Sequence, residues 1–369
     1  MTASSDVAPT WDNPLLSQPT EGVPGDGKVA AINCTVAAVD ELDAVNCSRA
    51  GSVRAAIDCR GYLGSAAINC AGMPEPRVAT YVRDSLAQNT RRAYLSDLDQ
   101  FEQWGGVIPA SSDLLANYLA AHAETRTVAT LVRRLASISK AHELSGLTNP
   151  TRSELVRATM RGIKRTRGSA QHEAKPLLRD DLLLVLDAMG EGLKATRDKA
   201  LLLIGFAGGL RRSELVGLDV ADVEHVRQGI ILYLRRSKTD QEGNGHKLGI
   251  PHGRNRWCPV VALERWLSAS SIVEGSLFRP VDRHGRLAGS RLSTEAVSAV
   301  IKERVSAGGI DPSGYSGHSL RAGLATSAAQ AGVPSWRIRA QTRHASDAML
   351  ARYIRSGELF THNAAGALF

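Results

Sequence analysis

Six polar side chains in the C-terminal half of the chain are of types that can act on an anionic group. They lie in the segments "AGGLRRSELVGL" (207–218), "RRSKTD" (235–240), "SGHSLRAGLAT" (316–326) and "RHASDAMLARYIR" (343–355). The six are Arg211, Lys238, His318, Arg321, His344 and Tyr353. Guanidinium groups bind anionic oxygens through paired hydrogen bonds, imidazole exchanges protons near neutral pH, and a phenol becomes a nucleophile when cations and a proton acceptor surround it.

Each of these residues taken alone has a structural explanation. Arg211 can cap a helix or pair with Glu214, three residues later. Lys238 can be a surface lysine, and Tyr353 can be a core aromatic residue of a terminal helix. A His-x-x-Arg pair is common by chance. The joint occurrence of all six in one order is what needs an explanation.

The order Arg, Lys, His-x-x-Arg, His, Tyr resembles the tyrosine recombinase (phage integrase) family over residues 76 to about 360. "AGGLRRSEL" matches the family's first-arginine motif, "GHSLRAGLAT" its His-x-x-Arg motif, and "RHASDAMLARYIRSG" its segment from His or Trp to Tyr. The tail "YIRSGELFTHNAAGAL" is most similar to the Cre-like branch. The resemblance implies a site-specific recombinase that cleaves and rejoins DNA through a 3′-phosphotyrosine intermediate, without metal, ATP or other cofactor.

The resemblance also implies how the cleavage is divided among the residues. Arg211 and Arg321 would clamp the nonbridging oxygens of a DNA phosphodiester, where negative charge develops during attack. Tyr353 would be the nucleophile, and His318 would exchange its proton.

Three further residues complete the implied site. Lys238 would protonate the 5′ oxygen that leaves, because a lysine on a hairpin can reach it. His344 would hydrogen-bond a phosphate oxygen, and Glu214 would orient its neighbours. The chain contains no His-Glu-x-x-His motif and no complete Gly-x-x-x-x-Gly-Lys-Ser/Thr loop, so no sequence motif predicts a metal or nucleotide site.

The elements that must position these residues predict a mainly α fold. After residue 176 the pattern alternates helices with one β-rich stretch, "GIILYLRRSKTDQEGNGHKLGIP" (229–251), in which Gly-Asn-Gly supplies a turn. We therefore expect a mostly α catalytic domain at 177–369 with a small antiparallel sheet, and Lys238 near the tip of a hairpin.

A separate helical domain is predicted at 76–165. Its segments repeat apolar residues at helical spacing with short breaks, and the polar, basic stretch 166–176 is the predicted linker. This all-helical domain is the expected core-binding, DNA-binding domain, and the residues that we expect to contact DNA are Arg91, Arg92, Arg126, Thr130 and Arg133.

The first 75 residues are rich in small and polar residues and are predicted to be disordered. They contain the repeated unit "AAINC", "DAVNC", "AAIDC", "AAINC", whose cysteines (Cys34, Cys47, Cys59, Cys70) are too widely spaced for metal knuckles. One hypothesis is that the repeat reflects repeated binding sites in the gene itself. The N-terminus lacks a secretory pattern, which favours a cytoplasmic protein encoded by a bacterium, phage, plasmid or transposon.

The net charge and the C-terminal tail predict the binding partners of the protein. A net charge of +8 favours double-stranded DNA with a specific recombination site, and no apolar run long enough for a membrane anchor occurs. The tail 361–369 is either a frayed terminus or, as we favour, a segment that docks on a neighbouring protomer in a homotetramer on two DNA sites.

Three other functions fit part of this sequence pattern. A DNA-binding regulator with this fold would not need the whole set of six residues. A relaxing topoisomerase could use the same tyrosine chemistry, but the separate helical domain and apolar tail favour recombination. A metal-dependent hydrolase would have to be built from histidines without carboxylate partners at ligand spacing, namely His246, His252, His318 and His344.

Overall fold

The computed structural model describes residues 81, 84–168, 174–235, 245–344 and 346–357. These residues form a mainly α structure with one three-stranded antiparallel sheet, which confirms the predicted fold class. The N-terminal extension with its cysteine repeats, Lys238 and the tail 361–369 lie outside the described residues. Within the described part, no helix combines the length and apolar character needed to cross a bilayer.

The chain divides into two compact units. The first comprises the residues to Arg126 with Thr130–Arg161, and the second comprises Thr127–Ala129 with the residues from Gly162 onward. The predicted domain boundary at 165 and the linker at 166–176 stay predictions.

The described residues up to 168 form four α-helices. They are α1 (Gln88–Gln103), α2 (Ser112–His122), α3 (Val128–Leu144) and α4 (Glu154–Arg167). Phe101, Leu115, Tyr118 and Leu131 are fully buried and form part of the first unit's core, with the Tyr118 ring edge-on to Phe101 at 4.9 Å.

A buried carboxylate joins α1 to α3. Asp97 is 1% exposed and accepts hydrogen bonds from Arg133 Nε at 2.9 Å, Arg133 Nη2 at 2.7 Å and Ser137 Oγ at 2.9 Å. Arg133 was predicted to contact DNA, and that remains a prediction, but its guanidinium already binds Asp97 within the unit.

The described residues from 174 onward form eight α-helices and three strands. In chain order they are α5 (Arg179–Asp187), α6 (Leu193–Ala207), α7 (Arg212–Gly217), β1 (Val223–Val226), β2 (Gly229–Leu234), β3 (His246–Pro251), α8 (Pro259–Ser270), α9 (Thr294–Ala307), α10 (Ser319–Gln330), α11 (Ser335–Thr342) and α12 (Asp347–Gly357).

Helix α6 lies at the centre of the second unit. Its residues 200–205 are all buried, because α8 and α10 pack against different sides of it. A run of apolar residues that covers all sides of a helix is expected in such a position. On α10, Gly323 allows close packing, since a Cβ there would lie 1.9 Å from Leu177 O. The absence of a side chain at Gly323 thus lets α10 pack against the segment that precedes α5.

The sheet contains the predicted hairpin and one strand more. Strands β2 and β3 pair antiparallel with Gly229 opposite Pro251, as expected from the pattern, and the loop between them lies largely outside the described residues. Strand β1 pairs antiparallel with β2 at the sheet's other side. It was not predicted, because "VEHV" is too short to show a clear alternation.

Candidate active site

Five of the six predicted residues line one cleft of about 800 Å³ in the second unit. They are Arg211, His318, Arg321, His344 and Tyr353. They come from α7, α10, α12 and the turns before them, so only tertiary packing brings them together. Lys238, the sixth, lies outside the described residues.

Arg211 caps the N-terminus of α7 and also faces the cleft. The preceding Gly209 has φ of +54°, and a Cβ there would lie 2.9 Å from Leu324 Cδ2 and 3.1 Å from Thr342 Cγ2. This glycine therefore permits both the sharp turn after α6 and close contact with the other two motifs. The two explanations for Arg211, a structural cap and a cleft cation, hold together.

Glu214 holds two arginines in place. Its Oε1 accepts a hydrogen bond from Arg211 Nη1 at 2.6 Å, and its Oε2 accepts from the Arg211 backbone N–H at 2.9 Å and from Arg343 Nη2 at 2.6 Å. Burial opposes ionisation of this carboxyl, but Arg343 and Arg211 outweigh burial and hold the pKa of Glu214 below its usual value. The predicted role of Glu214 as an orienting residue stays a prediction, and these contacts are the ones through which it would act.

Arg321 is a buried cation with an unused donor. The residue is 1% exposed, its Nη1 donates to Gly209 O at 2.8 Å, and its Nη2 has no hydrogen-bond partner among the described residues. Burial and the nearby Arg211 lower the pKa of Arg321 to about 10, so the group is still protonated at neutral pH. An anion in the cleft would satisfy the open donor.

The ring and the hydroxyl of Tyr353 lie in different surroundings. Its ring packs against the small apolar cluster of Ala325, Ala329, Ile338 and Leu350. Its Oη lies 2.7 Å from Nε2 of His318, the exposed residue that caps α10. The imidazole is thus within hydrogen-bond reach of the phenol's proton.

His344 is buried beside the same tyrosine. It is 5% exposed, its ring centroid lies 5.6 Å from that of Tyr353, and its Nδ1 lies 2.7 Å from Thr342 Oγ1. Burial, with Arg321 as the next cause, lowers the pKa of His344 to about 4. The ring is therefore neutral at physiological pH and carries one N–H.

Sequence reasoning missed two residues that support the site. Arg343, which pairs with Glu214, directly precedes His344, and Thr342 provides the hydroxyl partner of that histidine. Their adjacency to a predicted site residue was the available signal. Arg352, beside the tyrosine, also lines the cleft.

The DNA-contacting residues predicted in the helical region stay predictions. Arg92 and Arg126 are exposed, and Arg91 and Thr130 are half-buried.

The metal hydrolase considered above would use four histidines as its ligands. Among the described residues, these histidines do not form a group of three or more possible metal ligands with one another or with Cys, Asp or Glu.

Comparison with known proteins identifies the family. The model of the phage integrase family matches residues 175–358. The integrase/recombinase XerD homolog of Selenomonas ruminantium is 39% identical over 295 residues, which is 77% of this chain and 86% of that protein. Recombinase Cre of Escherichia phage P1 is 28% identical over 276 residues, 68% of this chain and 79% of Cre.

Solved structures share the fold. XerH recombinase bound to a palindromic difH substrate, in a post-cleavage complex, superimposes with a TM-score of 0.57 at 14% identity, covering 87% of this chain and 94% of XerH. A lambda integrase tetramer bound to a Holliday junction superimposes with a TM-score of 0.52 at 19% identity, covering 73% of this chain and 72% of the lambda integrase chain. The predicted resemblance is thereby confirmed, and the chain belongs to the phage integrase family, as a tyrosine-type site-specific DNA recombinase.

Proposed function

We propose that Tyr353 is the nucleophile of this recombinase and that the cleft is where it cleaves and rejoins DNA strands. The observation that carries the proposal is the 2.7 Å contact between Tyr353 Oη and His318 Nε2, in a cleft that also holds Arg211 and Arg321. A phenol gains nucleophilic strength at neutral pH only when a base accepts its proton and cations stabilise the charge that develops.

The proposed step is an in-line displacement at phosphorus. The Tyr353 oxygen forms a bond to phosphorus, its proton passes to His318, and the bond from phosphorus to the 5′ oxygen breaks. The leaving oxygen takes a proton, which we assign to Lys238. Arg211 and Arg321 bind the nonbridging oxygens, so the charge that forms in the transition state meets donors that are already in place.

His344 is proposed as a neutral hydrogen-bond donor to the same phosphate. Its pKa of about 4 keeps it uncharged, so it contributes one N–H and no net charge. For Nε2 to be that donor, the single hydroxyl proton of Thr342 must turn from Ile338 O, 2.7 Å away, to Nδ1 of His344 at the same distance. The choice of partner by this hydroxyl therefore sets which ring nitrogen of His344 carries the proton.

Strand rejoining follows from the same chemistry. The phosphotyrosine diester conserves the free energy of the cleaved linkage, so a 5′ hydroxyl from another strand can attack it and release Tyr353. Lys238 takes the proton of the attacking 5′ hydroxyl, and His318 returns its proton to the tyrosine. Neither a nucleotide nor a metal ion enters this sequence of steps.

Assembly on DNA completes the proposal. The helical region 76–165 would bind the duplex through Arg91, Arg92, Arg126, Thr130 and Arg133, and four protomers would join two recombination sites in the cytoplasm. The basic net charge and the existence of DNA complexes of XerH and lambda integrase, which share the fold, support this part. We assign the contact between protomers to the tail 361–369.

A covalent-adduct assay tests the assignment of Tyr353. A binding sequence is first selected from random duplex DNA and then prepared as a nicked suicide duplex, from which a cleaved fragment diffuses away. Incubation in EDTA followed by a denaturing gel should show a protein–DNA adduct for the wild type and none for Tyr353→Phe, since the variant keeps the packed ring and lacks the nucleophile.

The matched control is Tyr315→Phe. This tyrosine is 1% exposed and its hydroxyl has no hydrogen-bond partner among the described residues, so its loss should leave the adduct intact. An adduct that persists in Tyr353→Phe would exclude this nucleophile. Binding without any adduct in the wild type would instead favour the DNA-binding regulator.

A further inference from the structure

Arg343 has a backbone conformation that its residue type does not favour. It ends helix α11 with φ 55° and ψ 45°, in the left-handed region where the C-terminal residue of a helix is usually glycine. A side chain kept at such a position needs a reason beyond ending the helix. The contacts of the guanidinium supply one.

The Arg343 side chain is 9% exposed and points to a carboxylate that already serves another arginine. Its Nη2 donates to Glu214 Oε2 at 2.6 Å, while Glu214 Oε1 accepts from Arg211 Nη1 at 2.6 Å. Glu214 is 1% exposed, so the three charged groups interact with little screening by water. The Arg343 backbone also contributes, because its carbonyl oxygen lies 3.5 Å from Arg211 Nη2.

The net charge of the triad formed by Arg211, Glu214 and Arg343 decides how strongly Arg211 attracts a phosphate. With Glu214 alone, the carboxylate would neutralise Arg211 and weaken its attraction for an anion. A second arginine on the same carboxylate leaves the triad with one positive charge in excess.

We propose that Arg343 is a positioning residue that shares the charge of Glu214, so that Arg211 keeps its orientation without losing its positive field at the DNA phosphate. The inference rests on the proposed function of Arg211 as a phosphate clamp. A purely structural arginine would be expected to find partners for its buried donors, yet Nε and Nη1 of Arg343 have none among the described residues.

The test compares variants that separate charge from backbone strain. Arg343→Lys and Arg343→Gln both keep a side chain in the left-handed region, and only the first keeps the cation. Arg343→Gly removes the side chain, and glycine adopts the left-handed conformation without strain. This variant is therefore expected to fold even if the other two do not. Thermal unfolding of each variant checks that the fold is intact.

The readout is the single-turnover rate of adduct formation on the suicide duplex at saturating protein. We expect Arg343→Gln and Arg343→Gly to react about tenfold more slowly than the wild type, and Arg343→Lys within about threefold of it, with DNA affinity nearly unchanged. The double variant Glu214→Gln with Arg343→Gln should react faster than Arg343→Gln alone, because no carboxylate then neutralises Arg211.

Three results would overturn the inference. They are a wild-type rate in Arg343→Gln or Arg343→Gly, a lysine variant as slow as the glutamine variant, or a double variant slower than the single one. If the wild type itself forms no adduct, the proposed function fails. If the wild type reacts and Arg343→Gln matches it, only the role of Arg343 fails.

Discussion

Burial of His344 should make the stability of the protein depend on pH in a defined window. The usual histidine pKa is 6.5, and in the folded protein it falls to about 4 because the ring is buried, with Arg321 and Arg211 nearby. Between these two values the unfolded chain binds a proton that the folded chain does not. The stability that neutral His344 provides is therefore fully present above pH 6.5 and decreases as the pH falls toward 4.

The size of the effect follows from the two pKa values. Each pH unit between them changes the free energy of unfolding by at most about 1.4 kcal/mol. Integrating over the titration gives a loss of about 1 kcal/mol at pH 6, about 2 kcal/mol at pH 5 and a limit of about 3 kcal/mol below pH 4.

Urea unfolding of the wild type and His344→Asn at pH 7 and pH 5, followed by circular dichroism, measures this contribution. Asparagine can still hydrogen-bond Thr342 Oγ1, and it does not titrate in this range. The wild type should lose about 2 kcal/mol more than the variant between the two pH values, because all other titrating groups are common to both proteins. Equal losses would show that His344 does not titrate as the burial argument requires.

Two further substitutions test the buried ion pairs. Asp198→Ala should lower the free energy of unfolding by about 3 to 5 kcal/mol, because Asp198 is fully buried and accepts hydrogen bonds from Arg197, which is buried, and from Arg304, whose side chain is 14% exposed. Asp97→Ala should cost less, about 1 to 3 kcal/mol, because the Arg133 side chain is 51% exposed and can return to water. Chemical denaturation of both variants checks the order, and a larger loss for Asp97→Ala would contradict it.

Features set by short-range patterns could be predicted from the sequence. The helices follow from apolar spacing, and strands β2 and β3 follow from a β-rich run that ends in a glycine turn. The pairing of Arg211 with Glu214 was visible as well, because residues three apart at the start of a helix face each other. The set of cleft residues came from resemblance to a family, which carries information about tertiary contacts that composition does not.

The supporting contacts of the site could not be predicted in this way. Arg343 and Glu214 are 129 residues apart, and their contact depends on how α7 and α11 pack. The left-handed backbone at Arg343 contradicts the usual preference for glycine, so a local rule would have placed no functional side chain there. The buried hydroxyl of Thr342 beside His344 is likewise a product of the turn that follows α11.

The hydrogen bonding of buried arginines differs between two parts of the second unit. Between α6 and α9, the buried carboxylate of Asp198 accepts from Arg197 and Arg304, and neither arginine has a buried donor without a partner among the described residues. The cleft differs from this arrangement. There, three buried or half-buried arginines are influenced by the carboxylate of Glu214, and donors of two of them have no partner among the described residues. Because an unmatched buried cation lowers stability, such an excess is expected where an anionic substrate supplies the missing charge, as a DNA phosphodiester does.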